Sequence, residues 1–161
     1  MELNIEQMNY EEANQISNWI YEEPYAIYSM DQSAECINEL LNGDYYSVTD
    51  IDNNLIGYFC FGKSAQVPVG NQFGVYEMDN ITDVGLGIKP DLCGQGFGED
   101  FIKKGLDFAQ HKRSSIRFRL TVASFNQRAI KVYQRVGFTK VNSFKRISEN
   151  IETEFEVMIL N

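Results

Sequence analysis

The stretch from Val84 to Val122 constrains this chain most, because its hydrophobic period changes twice and glycines mark the first change. Val84, Leu86 and Ile88 alternate along one face of a strand, and Lys89-Pro90-Asp91 breaks it. Cys93-Gly-Gln-Gly-Phe-Gly98 follows, and then Phe97, Phe101, Ile102, Leu106 and Ala109 recur at helical spacing. Ile116, Phe118, Leu120 and Val122 alternate next, interleaved with Arg117, Arg119 and Thr121. Strand, glycine turn, helix and strand in this order make the chain mixed α/β.

The flanks agree. Residues 2–7 read as a short first strand, and Asn9 as the N-cap of a helix with Glu11 and Glu12 in its first turn. Ala13, Ile16, Trp19 and Ile20 supply the apolar face of that helix, and Pro24 ends it. A second helix opens near Asp31, turns Cys36 or Ile37 and Leu40 and Leu41 inward, and stops at Asn42-Gly43. Tyr45 to Ile51 and Leu55 to Phe61 read as a hairpin around Asp52-Asn53-Asn54. Residues 62–80 form the least regular stretch, of a length that is often functional or mobile. Asn126 opens a helix with a face of Ala129, Val132, Tyr133 and Val136, closed at Gly137. Phe138 to Ile147 and Glu154 to Leu160 then read as strands around Ser148-Glu-Asn.

Composition narrows the partners. The 161 residues suit one domain, 1–161, and 43% hydrophobic residues exclude disorder as the main state. A net charge of -9 repels phosphate backbones, so nucleic acid is not expected, whereas a cationic substrate is attracted. Three cysteines without CxxC spacing and one histidine, His111, argue against a disulfide framework or a metal centre. They suit a reducing, cytoplasmic setting. No signal-peptide pattern opens the chain, and no apolar run nears the roughly 20 residues that span a bilayer. Neither a membrane nor a metal is therefore expected; a monomer, or a homodimer paired through the strands near the C-terminus, is expected.

A strand that ends in a glycine turn before a helix is an anion site in waiting. The helix N-terminus presents N–H groups and positive potential, and residues without Cβ let a phosphate approach. The same glycines also let a helix pack closely on a strand, so both roles stay open. A Walker loop needs Gly-Lys-Ser/Thr, but Gly98 is followed by Glu99 and Asp100. A dinucleotide fingerprint needs GxGxxG, but Gly94, Gly96 and Gly98 give GxGxG, and they lie past the midpoint of the chain.

Gly85-Leu-Gly-Ile-Lys-Pro-Asp-Leu-Cys-Gly-Gln-Gly-Phe-Gly98 resembles the acyl-CoA-binding segment of the GNAT superfamily of N-acetyltransferases, with its R/Q-x-x-G-x-G/A loop. Asn126-Gln-Arg-Ala-Ile-Lys-Val-Tyr-Gln-Arg-Val-Gly-Phe138 is similar to the second motif, N-x-x-A-x-x-x-Y-x-x-x-G-F. The resemblance implies a central, mostly antiparallel sheet with helices on both faces, and acetyl-CoA as acyl donor. It implies that Leu86, Gly87 and Ile88 bond the pantetheine arm. Cys93, Gly94, Gln95, Gly96, Phe97, Gly98, Asn126, Ala129 and Tyr133 would complete the cofactor contacts. Gly85 and Gly87 mark where a bulge would open that strand to admit the arm. Cys93 departs from the usual Arg or Gln, forgoing a charge-assisted bond worth about 1.5–3 kcal/mol. Backbone amides, or Lys103, Lys104, Arg128 or Lys131, would have to compensate.

The reaction implied is transfer of an acetyl group to a primary amine by direct attack in a ternary complex. By resemblance Tyr133 protonates the departing thiolate; by periodicity alone it fills the apolar face of its helix. Asn126 reads as N-cap, cofactor contact or both. An amine with a pKa of about 10.4 is only about one part in a thousand neutral at pH 7, so a base is needed. Asp83 is the first candidate; Glu77, Glu22 and Glu23 follow. Acceptor contacts fall to Glu22, Glu23, Tyr25 and Tyr28, where carboxylates and ring faces suit a cation on a small-molecule or peptide amine. The alternative is a non-catalytic acyl-CoA-binding sensor or interaction module, which the Cys93 departure motivates.

Overall fold

The computed structural model describes residues 2–115 and 117–161. Ile116, expected to begin a strand, lies outside the described residues. Strand β1 (Asn4–Gln7) leads into helix α1 (Tyr10–Ser17). Asn9 caps it as expected: its side chain accepts from the Glu12 N–H at 2.8 Å, and Glu12 Oε1 accepts from the Asn9 N–H at 3.2 Å. The helix stops far short of Pro24, contrary to the sequence reading. Ser17 Oγ and Asn18 Nδ2 donate to the Asn14 carbonyl at 2.8 and 2.7 Å, while the Asn18 N–H turns to Gln15 and Ile16. Side chains thus occupy the acceptor that the next helical amide needs. Trp19 and Ile20 therefore lie beyond α1, and Ile20 is 72% exposed.

Helix α2 (Ala34–Leu40) is capped by Ser33, whose own N–H is held by Asp31. Strands β2 (Tyr45–Thr49) and β3 (Leu55–Phe61) form the expected hairpin. Asp50 Oδ1 closes its turn by accepting from the N–H groups of Asp52 and Asn54, each at 2.9 Å. Strand β4 (Thr82–Ile88), helix α3 (Gly98–Arg113), strand β5 (Phe118–Ala123) and helix α4 (Gln127–Val136) follow in the order read from the sequence. Helix α3 buries Phe101, Ile102, Leu106 and Ala109, and Phe97 stands just outside as N-cap. Helix α4 buries Ile130 and Tyr133, whereas Ala129, Val132 and Val136 are only half-buried. Its inner line follows Tyr133, whose ring meets Phe138 edge-on at 6.1 Å. Strands β6 (Thr139–Ser148) and β7 (Ile151–Leu160) close the chain as a long hairpin around Glu149 and Asn150, both at positive φ. The tip residues of β7 are exposed, so they lack the alternation that marked Phe155, Val157 and Ile159.

The strand order in the seven-stranded sheet is β1-β2-β3-β4-β5-β7-β6. Pairing is antiparallel for β1–β2, β2–β3, β5–β7 and β6–β7, and parallel for β4–β5. Contacts group the chain into two units. The first comprises Met1–Cys60 and Leu86–Gln95, around Ala13, Ile16, Leu40, Val48 and Phe59. The second comprises Phe61–Gly85 and Gly96–Asn161, around Phe101, Ala109, Phe138, Val157 and Met158. Strand β4 contributes its first half to the second unit and residues 86–88 to the first. All three cysteines are free thiols. Among the described residues no helix is long and apolar enough to cross a membrane, and no His, Cys, Asp or Glu group is placed to hold a metal.

Candidate active site

In the first unit, Leu86, Gly87 and Ile88 are half-buried at the end of β4. A Cβ on Gly87 would overlap the ring of Tyr58, which also lies 6.3 Å from Trp19 and 6.1 Å from Tyr45, centroid to centroid. Close approach of an aromatic ring therefore explains the glycine. Gly87→Ala is expected to cost about 1–3 kcal/mol, because the ring sits among other rings and must move. Chemical denaturation reads that loss directly. The Lys89 N–H donates to the Ile56 carbonyl at 2.9 Å. Tyr21 Oη donates to the Ile88 carbonyl at 2.7 Å.

Cys93 is a loop fastener. Its Sγ lies 3.5 Å from the Ile88 carbonyl and 3.6 Å from that of Lys89, both within reach of a weak thiol donor. Gly94 adopts φ 75°, and Gln95 Nε2 donates to the Asp91 carbonyl at 2.7 Å. Both residues are exposed.

In the second unit the loop continues through Gly96, at φ 88°, to the half-buried Phe97 and Gly98. A Cβ on Gly96 would meet nothing within 4 Å, and one on Gly98 would meet Val132 only at an ordinary 3.6 Å. Helix packing therefore does not demand these two glycines. Left-handed backbone, at φ 75° and 88°, is what requires Gly94 and Gly96. No side chain caps α3 at Phe97. Glu99, in the first turn, accepts from Lys103 at 3.0 Å and Arg135 at 3.3 Å. These cations hold its carboxyl below the usual carboxylate range and set two positive charges against its one negative charge. Lys104, Arg128 and Lys131 are exposed. Asn126 caps α4 by accepting from the Ala129 N–H at 3.2 Å, and Tyr133 is 8% exposed.

Asp83 is buried in the second unit, at the strand position facing Arg119. Arg119 Nε donates to Oδ1 at 2.6 Å and Nη2 to Oδ2 at 2.8 Å, while Gln66 Nε2 donates to Oδ2 at 2.8 Å. The guanidinium lies 5.1 Å from the Tyr76 ring centroid. Tyr76 Oη in turn accepts from the Val67 N–H at 3.0 Å and sits 2.7 Å from Thr121 Oγ1. Residues 62–80, read as a long loop, contain two 3-10 turns, Gly62–Ala65 and Pro68–Phe73, which this network fastens to β4 and β5. No motif or spacing in the sequence singles out Arg119, Gln66, Tyr76, Tyr21 or Tyr58 as site residues. Only Arg119 left a trace, as a cation inside the cleanest alternating strand.

The acceptor candidates divide by exposure. Glu22 and Glu23 face solvent, and Tyr25 and Tyr28 are half-buried in a 3-10 turn, Tyr25–Tyr28. Later in the chain, Ser29, Met30, Asp31, Cys36, Glu39 and Leu40 line a recess of about 250 Å³.

The model of the Acetyltransferase (GNAT) family matches residues 10–138. The chain belongs to this family. It is a GNAT acetyltransferase, and such enzymes use acetyl-CoA as co-substrate. A chimera of the spermidine N-acetyltransferase SpeG from Vibrio cholerae and hSSAT is 18% identical, covers 99% of this chain and 96% of its own, and superposes with a TM-score of 0.73. A putative phosphinothricin N-acetyltransferase gives 14%, 98%, 97% and 0.74. A GNAT-family acetyltransferase from Bacillus anthracis gives 14%, 99%, 95% and 0.69. These likenesses are of fold. No curated protein matches the chain.

Proposed function

We propose that this GNAT acetyltransferase moves the acetyl group of acetyl-CoA to the primary amine of a small cationic acceptor, by direct attack in a ternary complex. The observation that carries the reading is the glycine loop. Gly94 and Gly96 take left-handed backbone with no packing partner for a Cβ at Gly96, next to a helix N-terminus without a capping side chain. That combination suits a pyrophosphate held by backbone N–H groups. Lys103 and Arg135, gathered by Glu99, balance the two carboxylates of the first turn, Glu99 and Asp100, so the side chains at that helix end do not add to the -9 of the whole chain. Leu86, Gly87 and Ile88 would bond the pantetheine arm, and Asn126 and Ala129 would complete the cofactor contacts. In the transfer a C–N bond forms and the thioester C–S bond breaks, and Tyr133 returns a proton to the leaving thiolate.

Asp83, the sequence candidate for base, accepts three hydrogen bonds from Arg119 and Gln66 and is assigned to the framework. Glu22 and Glu23, exposed beside Tyr25 and Tyr28, are then the carboxylates to receive the proton of the amine. The recess formed later in the chain pairs Asp31 and Glu39 with apolar Met30 and Leu40, which suits an ammonium group on an alkyl chain.

Titrating acetyl-CoA by calorimetry and then assaying free thiol across a panel of spermidine, phosphinothricin and a lysine peptide tests the reading. Binding followed by thiol release with an alkyl polyamine is the expected result. Binding without thiol from any amine makes the chain an acyl-CoA-binding module, and absence of binding sinks both readings.

A further inference from the structure

Tyr21 lies outside both GNAT-like motifs, just after α1, yet it touches two parts of the candidate site. Its hydroxyl donates to the Ile88 carbonyl at 2.7 Å, across 67 positions of sequence. Its backbone N–H donates to Ser29 Oγ at 2.9 Å, which closes the Glu22 to Tyr28 segment at its base. We propose that Tyr21 is a positioning residue that couples the acceptor segment to the end of β4 and fixes the Ile88 peptide for the acyl donor. This proposal rests on the acetyltransferase reading above.

The physical need arises where β4 runs out. Pro90 ends the strand, so the Lys89 N–H bond to Ile56 of β3 is the last backbone bond on this peptide, and its carbonyl needs another partner to hold its plane. Hydrogen bonds to an extended ligand weaken steeply once that plane turns. Three contacts hold it: Tyr21 Oη and Cys93 Sγ on the Ile88 carbonyl, and the Lys89 N–H on the Ile56 carbonyl. Cys93 is a weak donor, so on the carbonyl side of this peptide the hydroxyl supplies the main constraint. Burial, with Cys93 adding to it, pushes the Tyr21 phenol above its ordinary value, so it remains a donor across the working pH range.

Tyr21→Phe removes one oxygen and keeps the ring. The dissociation constant for acetyl-CoA, read by calorimetry, is expected to rise about three- to tenfold, the range of one neutral hydrogen bond. The melting temperature should stay within a few degrees of the parent. Ser29→Ala, which frees the Tyr21 N–H, should raise the same constant by a smaller factor through the coupled segment. A tyrosine that merely fills space would lower the melting temperature and leave the constant alone. A constant unmoved by either variant overturns the proposal while the acetyltransferase reading stands. If the parent chain binds no acetyl-CoA, both fall.

Discussion

Tyr133→Phe is expected to lower turnover about a hundredfold or more, the scale of a lost general acid, while acetyl-CoA binding is retained. The hydroxyl is the only group removed. Tyr133 is 8% exposed and packs edge-on against Phe138, contacts that a phenylalanine ring preserves. Melting temperature and acetyl-CoA affinity, measured beside turnover, separate the chemical role from the packing role. The thiolate of coenzyme A needs a proton as the C–S bond breaks, and a phenol of ordinary pKa about 10 is able to donate to a thiolate whose acid is about 8.5. The measurement is single-turnover thiol release at saturating acetyl-CoA. Equal rates for parent and variant would remove Tyr133 from the mechanism and leave it as a core residue.

Arg119→Met is expected to destabilise the protein by about 3–5 kcal/mol, because it strands the buried carboxylate of Asp83 without its charged partner. For a chain of this size that corresponds to a fall of roughly 6–20 °C in melting temperature. The double variant Asp83→Leu with Arg119→Met should recover most of the loss, since a packed apolar pair replaces the ion pair. It also decides what Asp83 does. If Asp83 belongs to the framework, the stable double variant keeps turnover within a few fold of the parent. If it takes the proton of the amine, turnover falls about a hundredfold or more despite restored stability.

The two experiments bear on different levels of the molecule. Tyr133 was visible in the sequence because a motif fixes it by spacing along one helix, and helical spacing survives into the fold unchanged. The partner of Asp83 was not visible. Arg119 lies 36 positions away, and only the parallel register of β4 on β5 brings the two face to face. Strand β5 is buried at Phe118, Arg119 and Leu120 alike, so its alternation marked no solvent face. Tyr21 was hidden for a similar reason: its role depends on a carbonyl 67 positions downstream.

Whatever depends on near neighbours is legible in the chain before it folds. The order of the main strands and helices, the capping box at Asn9, the turn after α2 and the glycine loop at Gly94 to Gly98 all arise from contacts a few residues apart. The glycine loop carried most, since a change of period with glycines at the joint admits few backbones. The folded chain was needed to see why Gly87 is a glycine, since the Tyr58 ring occupies the space a Cβ would fill. Where α1 stops is also a near-neighbour matter, because Ser17 and Asn18 satisfy their side chains on the Asn14 carbonyl, three and four residues back. Charge pairing and carbonyl capping between distant residues need strands in register and a closed core. Neither exists until the chain has folded.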